Sequence, residues 1–387
     1  VLEARWPLMK NAINELDKIR LVDFINSSDR YTNGPVVKRF EESWAEWVGS
    51  DYALMVSSGS TANFLIVAAL KELYNLQNGD KVLLPACTWV TTVSPFIQLG
   101  FTPVFADINL VDFSYDREHL REIARVHPDI KVVSVTHLLG YPAPRDFQEF
   151  WPNALVIDDV CESHGCEERP GVRVGANSLG ASFSFYFGHH MTTIEGGVIT
   201  TNNEALYDLM RMKRSHGLAR ESDNFDYWAL QHPYIDRQFL FITDGYNFRS
   251  TDFNAILGLS QLERLDESIE IRRNNYSRFV EIVNSRGDLF YPVTECPLNS
   301  NFSLPFISHK RETMLNLKQV FSQNGVEYRP VVGGNLLRQP FLKGHSFGSP
   351  RRNSTVDLVN DNGVYIGNSQ FITSNDMDWL GNIVGSL

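Results

Sequence analysis

Tyr52-Ala53-Leu54-Met55-Val56-Ser57-Ser58-Gly59-Ser60-Thr61-Ala62-Asn63-Phe64-Leu65 is the stretch on which the fold turns. Its first five residues form an apolar run of strand length. Phe64, Leu65, Val67, Ala68 and Leu70 then recur at helical spacing. Between the two lie hydroxyl side chains around a single glycine. A helix N-terminus offers unpaired N–H groups and a partial positive charge, so this junction reads as a phosphate cradle. It matches neither a Walker A loop nor a dinucleotide fingerprint. A well-capped helix with surface serines is the plainer reading, and the junction alone does not separate the two.

The same alternation continues on both sides. Upstream, Val36, Val37, Phe40, Trp44, Trp47 and Val48 keep helical spacing and stop at Gly49, a C-terminal cap. Downstream, Lys81–Pro85, Pro103–Asp107, Lys131–Val135 and Ala154–Ile157 are apolar runs bounded by turn residues, and Ala181–Phe187 and Gly197–Thr201 add two more. Short apolar runs separated by helix-length segments are strands covered on both faces. They predict an α/β domain with a mostly parallel sheet. After residue 250 the texture changes. Phe253–Leu265 and Glu267–Arg286 read as helices, Ser303–Ile307 and Val326–Arg329 as strands of a smaller lobe, and Gly333-Gly334 and Gly344–Asn353 as loops. The expected division is a large α/β domain over 1–250 and a small C-terminal domain over 251–387.

Composition removes several classes. The chain has 387 residues, 43% of them hydrophobic, with 35 basic and 46 acidic side chains and a net charge of −11. The acidic balance argues against nucleic-acid binding but permits a small anion held by a local site. Cys87, Cys161, Cys166 and Cys296 are too few and scattered for a disulfide framework. No apolar run reaches the roughly 18–20 residues of a membrane span. The start shows no charged segment followed by an apolar one, and no initiator Met. A soluble cytoplasmic protein, processed at its N-terminus, is expected.

Three further segments carry candidate chemistry. In Ile157-Asp158-Asp159-Val160-Cys161-Glu162-Ser163-His164-Gly165, two carboxylates sit at the C-terminal end of a buried strand, where open α/β sheets place ligands. A buried carboxylate there needs a positive partner, a metal or a protonated ring nitrogen; capping the next helix is the plainer role for one of them. Zinc on Cys161, His164 and Cys166 fits no common ligand spacing. In Ser182–Gly197, strand alternation puts Ser182, Ser184 and Tyr186 on one face, with His189 and His190 at the strand end. A histidine beside a ligand crevice is a candidate general base. Trp89, just past another strand end, suits stacking on a flat ring, or else plain burial.

These segments, with Thr32–Pro35 ahead of them and Gly245–Ser250 behind, occur in an order that resembles the pyridoxal-phosphate-dependent nucleotide-sugar aminotransferase and dehydratase family. The resemblance covers most of the chain and implies fold type I, the aspartate aminotransferase architecture. Carried over, it implies that Gly59, Ser60 and Ser184 bind the cofactor phosphate, Trp89 stacks on its ring, and Asp159 pairs with the ring nitrogen. Asn247 would reach the phosphate in a neighbouring subunit, making a homodimer. Glu162 stands where relatives carry a Gln near the cofactor's phenolic oxygen.

One departure outweighs these matches. Counting from Ser184 and from Glu195 alike, the position of the family's cofactor-binding lysine is His189. An imidazole does not hold the cofactor covalently as a lysine does. His189 followed by His190-Met191 and Glu195-Gly196-Gly197 resembles the sugar 3-dehydratases of deoxysugar and O-antigen biosynthesis. That implies pyridoxamine phosphate as working cofactor, glutamate as amino donor, and loss of the C3 hydroxyl from a nucleotide-linked 4-keto-6-deoxyhexose, a GDP-sugar being favoured. A relative that adds an iron–sulfur cluster is disfavoured, since four clustered thiolates are lacking. Arg220, Arg249 and Arg329 are candidates for the substrate diphosphate. An aminotransferase, a non-catalytic cofactor- or sugar-binding regulator, and a dehydratase of another nucleotide sugar are the alternatives.

Overall fold

The computed structural model describes residues 4–345 and 354–387. It holds twelve α-helices and twelve strands among those residues. The large lobe begins with α1 (Glu15–Ser27) and α2 (Pro35–Val48), followed by β1 (Tyr52–Val56) and α3 (Gly59–Leu73). It continues through β2 (Lys81–Pro85), α4 (Val90–Gln98), β3 (Thr102–Ala106), α5 (Arg117–Val126), β4 (Ile130–Thr136) and β5 (Leu155–Asp159). A short ribbon, β6 (Glu167–Arg169) and β7 (Val172–Arg173), precedes β8 (Ala181–Ser184), β9 (Gly197–Thr201), α6 (Glu204–Arg214) and α7 (Phe225–Gln231).

The seven-stranded sheet runs in the order β1-β9-β8-β5-β4-β2-β3. Pairs β2–β3, β2–β4, β4–β5 and β5–β8 are parallel, and β9 is antiparallel to both of its neighbours. Strands buried on both faces explain why the apolar runs show no alternation. The mostly parallel α/β architecture expected from them is present. α2 buries Phe40 and Trp44 completely and ends where expected: Gly49 adopts φ +90, and its N–H closes on the Ala45 carbonyl at 2.8 Å.

The expected boundary at residue 250 cuts through a packed layer. α8 (Asp252–Leu262) lies against α1 and α2, on the large lobe. Its first residue, the buried Asp252, accepts N–H bonds from Gly34, Val36 and Val37 at 3.0–3.2 Å, so it caps α2 from more than two hundred residues away. α9 (Leu265–Asn284) leads to the small lobe, where β10 (Ser303–Ile307), α10 (Arg311–Gln323), β11 (Tyr328–Arg329), α11 (Thr355–Asn362), β12 (Gly363–Gly367) and α12 (Ser374–Gly385) build a three-stranded antiparallel sheet ordered β10-β12-β11. The chain start belongs with that lobe: Trp6 bridges Val326 and donates its indole N–H to the Gly367 carbonyl at 2.8 Å.

Two expected strands are shorter than their apolar runs. β8 stops at Ser184: Phe185 N–H makes one last ladder bond to the Gly196 carbonyl, but the Phe185 carbonyl is taken by Thr193 N at 3.0 Å and the chain turns, the His189 N–H closing on Tyr186. Only Tyr328 and Arg329 of the Val326–Arg329 run pair with β12. Of the loop expected over Gly344–Asn353, residues 346–353 lie outside the described residues.

Candidate active site

The C-terminal ends of β5 and β8 meet the N-terminus of α3, and the space between them is a cavity of about 300 Å³. α3 begins with a reciprocal cap: the Ser58 hydroxyl accepts from Thr61 N, and the Thr61 hydroxyl accepts from Ser58 N. The cap satisfies Thr61, leaving the amides of Gly59 and Ser60 without partners inside the helix. Gly59 also permits the close approach of β8. A Cβ at this position would fall 2.5 Å from Ser184 Cβ and 2.9 Å from Cys161 Sγ. Ser184, Gly59 and Ser60 therefore share one wall of the cavity.

Strand alternation sends the two aspartates of β5 apart. Asp158 faces away and is fully enclosed. Burial works against its charge, but Arg145 at 3.0 Å, His137 at 3.1 Å and Ser178 outweigh that and hold its pKa below the usual range. Asp159 faces the cavity. It accepts from Asn63 Nδ2 at 2.8 Å, Thr92 Oγ1 at 2.7 Å and the Cys161 amide at 3.1 Å. All three donors are neutral, and no cation pairs with this 5%-exposed carboxylate among the described residues. Its charge calls for a cationic partner in the cavity.

Glu162 lines the same cavity, with Oε2 accepting from Leu139 N at 2.9 Å. Burial, reinforced by the nearby Asp159 charge, pushes its carboxyl up to about 7. Trp89 at the head of α4 is 53% exposed, and its indole forms part of the cavity wall, which excludes the plain core role.

His189 completes this wall. Its Nδ1 lies 2.9 Å from the Ser184 carbonyl, which can only accept, so Nδ1 carries the proton and Nε2 presents a lone pair. Burial lowers its pKa to about 4, against the opposing pull of the Ser184 carbonyl and the Asp159 charge. At neutral pH the ring is therefore a base. No lysine lines the cavity among the described residues.

The loop bearing His189 is held from behind. Gln261 accepts from Thr192 N at 3.0 Å, and Asn254 donates to the Thr193 and Glu195 carbonyls at 2.6 and 2.9 Å. Between them Ile194 sits at φ +73, a left-handed conformation that disfavours a β-branched residue. His190 turns the other way, donating from Nε2 to the Ser300 carbonyl at 2.8 Å and stacking on His164 in the interior.

The arginines divide. Arg329 lines the cavity from β11. Arg220 lies elsewhere and donates to the Gln238 carbonyl, while Arg249 donates to Asn247 Oδ1 at 3.0 Å; none of Arg220, Arg249 and Asn247 reaches the cavity of its own chain. Several residues of the site escaped the sequence reading. Asn63 on the wall and Thr92 behind it, which orient Asp159, lie inside segments already singled out: Asn63 ends the Ser57–Asn63 junction, and Thr92 follows Trp89 by three residues. Leu8, Met9, Phe302 and Tyr365 also line the cavity and carry no local signal.

The family model for the DegT/DnrJ/EryC1/StrS aminotransferases matches residues 13–367. The chain belongs to that family. The GDP-4-keto-6-deoxy-D-mannose 3-dehydratase of Yersinia pseudotuberculosis is 31% identical to it, over 98% of this chain and 98% of that protein. The Escherichia coli GDP-4-keto-6-deoxy-D-mannose 3-dehydratase with bound hydrated pyridoxal phosphate superposes with a TM-score of 0.87 at 28% identity, covering 99% of this chain and all of that one. A structure of GDP-4-keto-6-deoxymannose 3-dehydratase with a trapped pyridoxal-phosphate–glutamate geminal diamine gives 0.85, again at 28% identity, covering 98% and 100%. The cavity suits the family's cofactor on its own terms: free helix amides and hydroxyls for a phosphate, an exposed indole for a ring, and an unpaired buried carboxylate for a ring nitrogen.

Proposed function

We propose that the chain is a pyridoxamine-phosphate-dependent sugar 3-dehydratase. It removes the C3 hydroxyl of GDP-4-keto-6-deoxy-mannose, and glutamate serves as amino donor. The observation that carries this reading is His189, a neutral imidazole in a cavity lined by no lysine among the described residues.

When bound, the cofactor supplies an amine for the C4 ketone and an electron-accepting ring. The residues that would hold it are Gly59, Ser60 and Ser184 at the phosphate, Trp89 on the ring face, Asp159 at the ring nitrogen and Glu162 beside the ring. His189 Nε2 takes a proton at the reacting centre. Because its conjugate acid is strong, at about 4, the ring readily surrenders that proton again, and a departing hydroxyl leaves as water. The Ser184 carbonyl keeps the tautomer fixed through this cycle. Without a primary amine there, the protein lacks the group that would drive complete amine transfer.

The active unit in this reading is a homodimer in which Asn247 serves the partner's cavity. Its position off its own cavity supports this, as do the exposed Tyr227, Leu230, Tyr234, Phe239 and Phe241 of the same region. Asn247→Ala should weaken cofactor binding by about 1.5–3 kcal/mol, the value of one hydrogen bond to a charged group. A fully active monomer in sedimentation refutes the composite site. Free thiols and the lack, among the described residues, of any helix able to cross a membrane support a cytoplasmic location. The decisive experiment is incubation with pyridoxamine phosphate, glutamate and candidate 4-keto sugars. A 3-deoxy product is expected, and an amino sugar as sole product would point to an aminotransferase instead.

A further inference from the structure

Two buried histidines, His164 and His190, stand behind His189, and the chemistry proposed above uses neither. Loss of water holds both well below the ordinary 6.5, so neither brings a charge to the site. Their rings stack with centroids 5.2 Å apart. We propose that His190 is a positioning residue: by binding Ser300 it clamps the rings that hold the His189 imidazole in one orientation. The proposal rests on the dehydratase reading above.

The His189 ring is boxed on three sides. Tyr186 and His164 stand 6.2 Å from it and Phe302 6.0 Å, between centroids, each inclined to it by 70–86°. Tyr186 is exposed to solvent, so the firm walls are His164 and Phe302. Both are fixed through one segment. The Ser300 hydroxyl donates to the His164 carbonyl at 2.5 Å, and Phe302 follows Ser300 by two residues. That segment is tied at three consecutive positions. Ser300 N donates to the Gly140 carbonyl at 2.8 Å, while Asn368 donates to the Asn301 carbonyl from Nδ2 at 2.8 Å and to the Phe302 carbonyl from its amide at 2.9 Å. Into this anchored stretch His190 donates its Nε2–H, with the Ser300 carbonyl at 2.8 Å and the hydroxyl oxygen at 3.0 Å.

A phenylalanine would fill the same space and stack on His164 as well. What histidine adds is the donor. The grip of Gln261 and Asn254 begins only at Thr192, so the side-chain anchor next to the base is His190. The consequence falls on the tautomer. His189 Nε2 presents its lone pair only while Nδ1–H stays on the Ser184 carbonyl. The second side-chain torsion of a histidine is soft, and packing must fix it. A ring free to turn loses the Ser184 bond and samples the other tautomer, in which Nε2 carries a proton and accepts none.

The test compares His190→Phe, which keeps a ring and loses the donor, with His190→Gln, which keeps a donor for Ser300 and loses the ring. The first readout is the His189 tautomer, from nitrogen NMR on protein with isotope-labelled histidine, assigned by the signal lost in His189→Asn. Wild type should show Nδ1–H alone, His190→Phe a mixture, and His190→Gln the wild-type form. The second readout is single-turnover formation of the 3-deoxy sugar on protein preloaded with pyridoxamine phosphate. His190→Phe should slow it about 10- to 100-fold, the cost of a misplaced catalytic group, with cofactor and sugar affinity unchanged. His190→Gln should restore most of that rate. An unshifted tautomer in His190→Phe overturns the clamp, whatever the reaction catalysed. Joint loss of rate, cofactor affinity and thermal stability in both variants makes His190 a prop of the fold, which also overturns the positioning role. A wild type that forms no 3-deoxy sugar overturns the dehydratase reading, and the tautomer still decides the clamp.

Discussion

The sharpest consequence of the site geometry concerns the acid limb of the reaction. His189 is pushed down to about 4 because its ring is withdrawn from water, and the Ser184 carbonyl and the Asp159 charge recover only part of that loss. At pH 5 an imidazole at the ordinary 6.5 keeps about 3% of its neutral form, whereas one at about 4 keeps about 90%. Lowering the pH from 7 to 5 should then cost about a tenth of the base, against about 25-fold for a solvent-like histidine. Glu162, at about 7, titrates inside the same window, so the measurement belongs in a Glu162→Gln background. The assay is single-turnover formation of the 3-deoxy sugar on protein preloaded with pyridoxamine phosphate, between pH 5 and 8. A limb centred near 6.5 would refute the buried-base account. His189→Asn removes the proton acceptor and should slow the same step by about 10²–10⁴-fold with cofactor still bound. Full activity in that variant refutes the role given to His189.

Other perturbations probe the walls around it. Asp159→Asn removes the negative partner offered to a ring nitrogen, and cofactor affinity should fall about 10- to 100-fold in fluorescence titration; unchanged affinity would disconnect Asp159 from the ring. Gly59→Ala drives a methyl to within 2.5 Å of Ser184 Cβ, so thermal unfolding should report a loss of about 1–3 kcal/mol together with weaker cofactor binding, and a silent substitution contradicts the close approach. His164 and His190 are buried with pKa values held well below 6.5 by loss of water, and so stay neutral in the fold. The unfolded chain takes up protons on both below pH 6.5, so stability should drop there by about 1.4 kcal/mol per pH unit for each ring. His164→Phe should flatten that acid dependence in thermal scans, and an unchanged slope refutes the assignment.

Most of the fold was legible because strands covered on both faces leave a plain signature. β1, β2 and β10 coincide with their apolar runs to the residue, and β3, β4 and β5 lie within two residues of theirs. Boundaries failed where tertiary contacts overrode the run. Phe185 to Phe187 are as apolar as the strand before them, yet β8 ends at Ser184, because Thr193 N captures the Phe185 carbonyl and His189 N closes a turn on Tyr186. Around residue 250 the packing likewise crosses the local pattern. Nothing local announces that Asp252 caps α2, or that Trp6 is tied to Gly367.

The site divides along the same line. Its floor is built from strand ends and a helix start, where chemistry and local pattern share the same few residues, and Gly59, Trp89, Asp159, Ser184 and His189 all stand on the cavity wall. The opposite wall comes from residues 8–9, 302, 329 and 365, brought in only by the packing of the small lobe and chain start. Ordinary apolar and aromatic residues such as Leu8, Met9 and Phe302 carry no mark of that placement. His189 could be recognised because the loop around it is rigidly framed. Gln261 and Asn254 grip Thr192, Thr193 and Glu195 through the backbone, which any side chain at 189 leaves intact. A frame fixed by backbone bonds lets an amine give way to an imidazole without disturbing the fold. In the proposed reading the change then falls on the chemistry, at the single residue counted between Ser184 and Glu195.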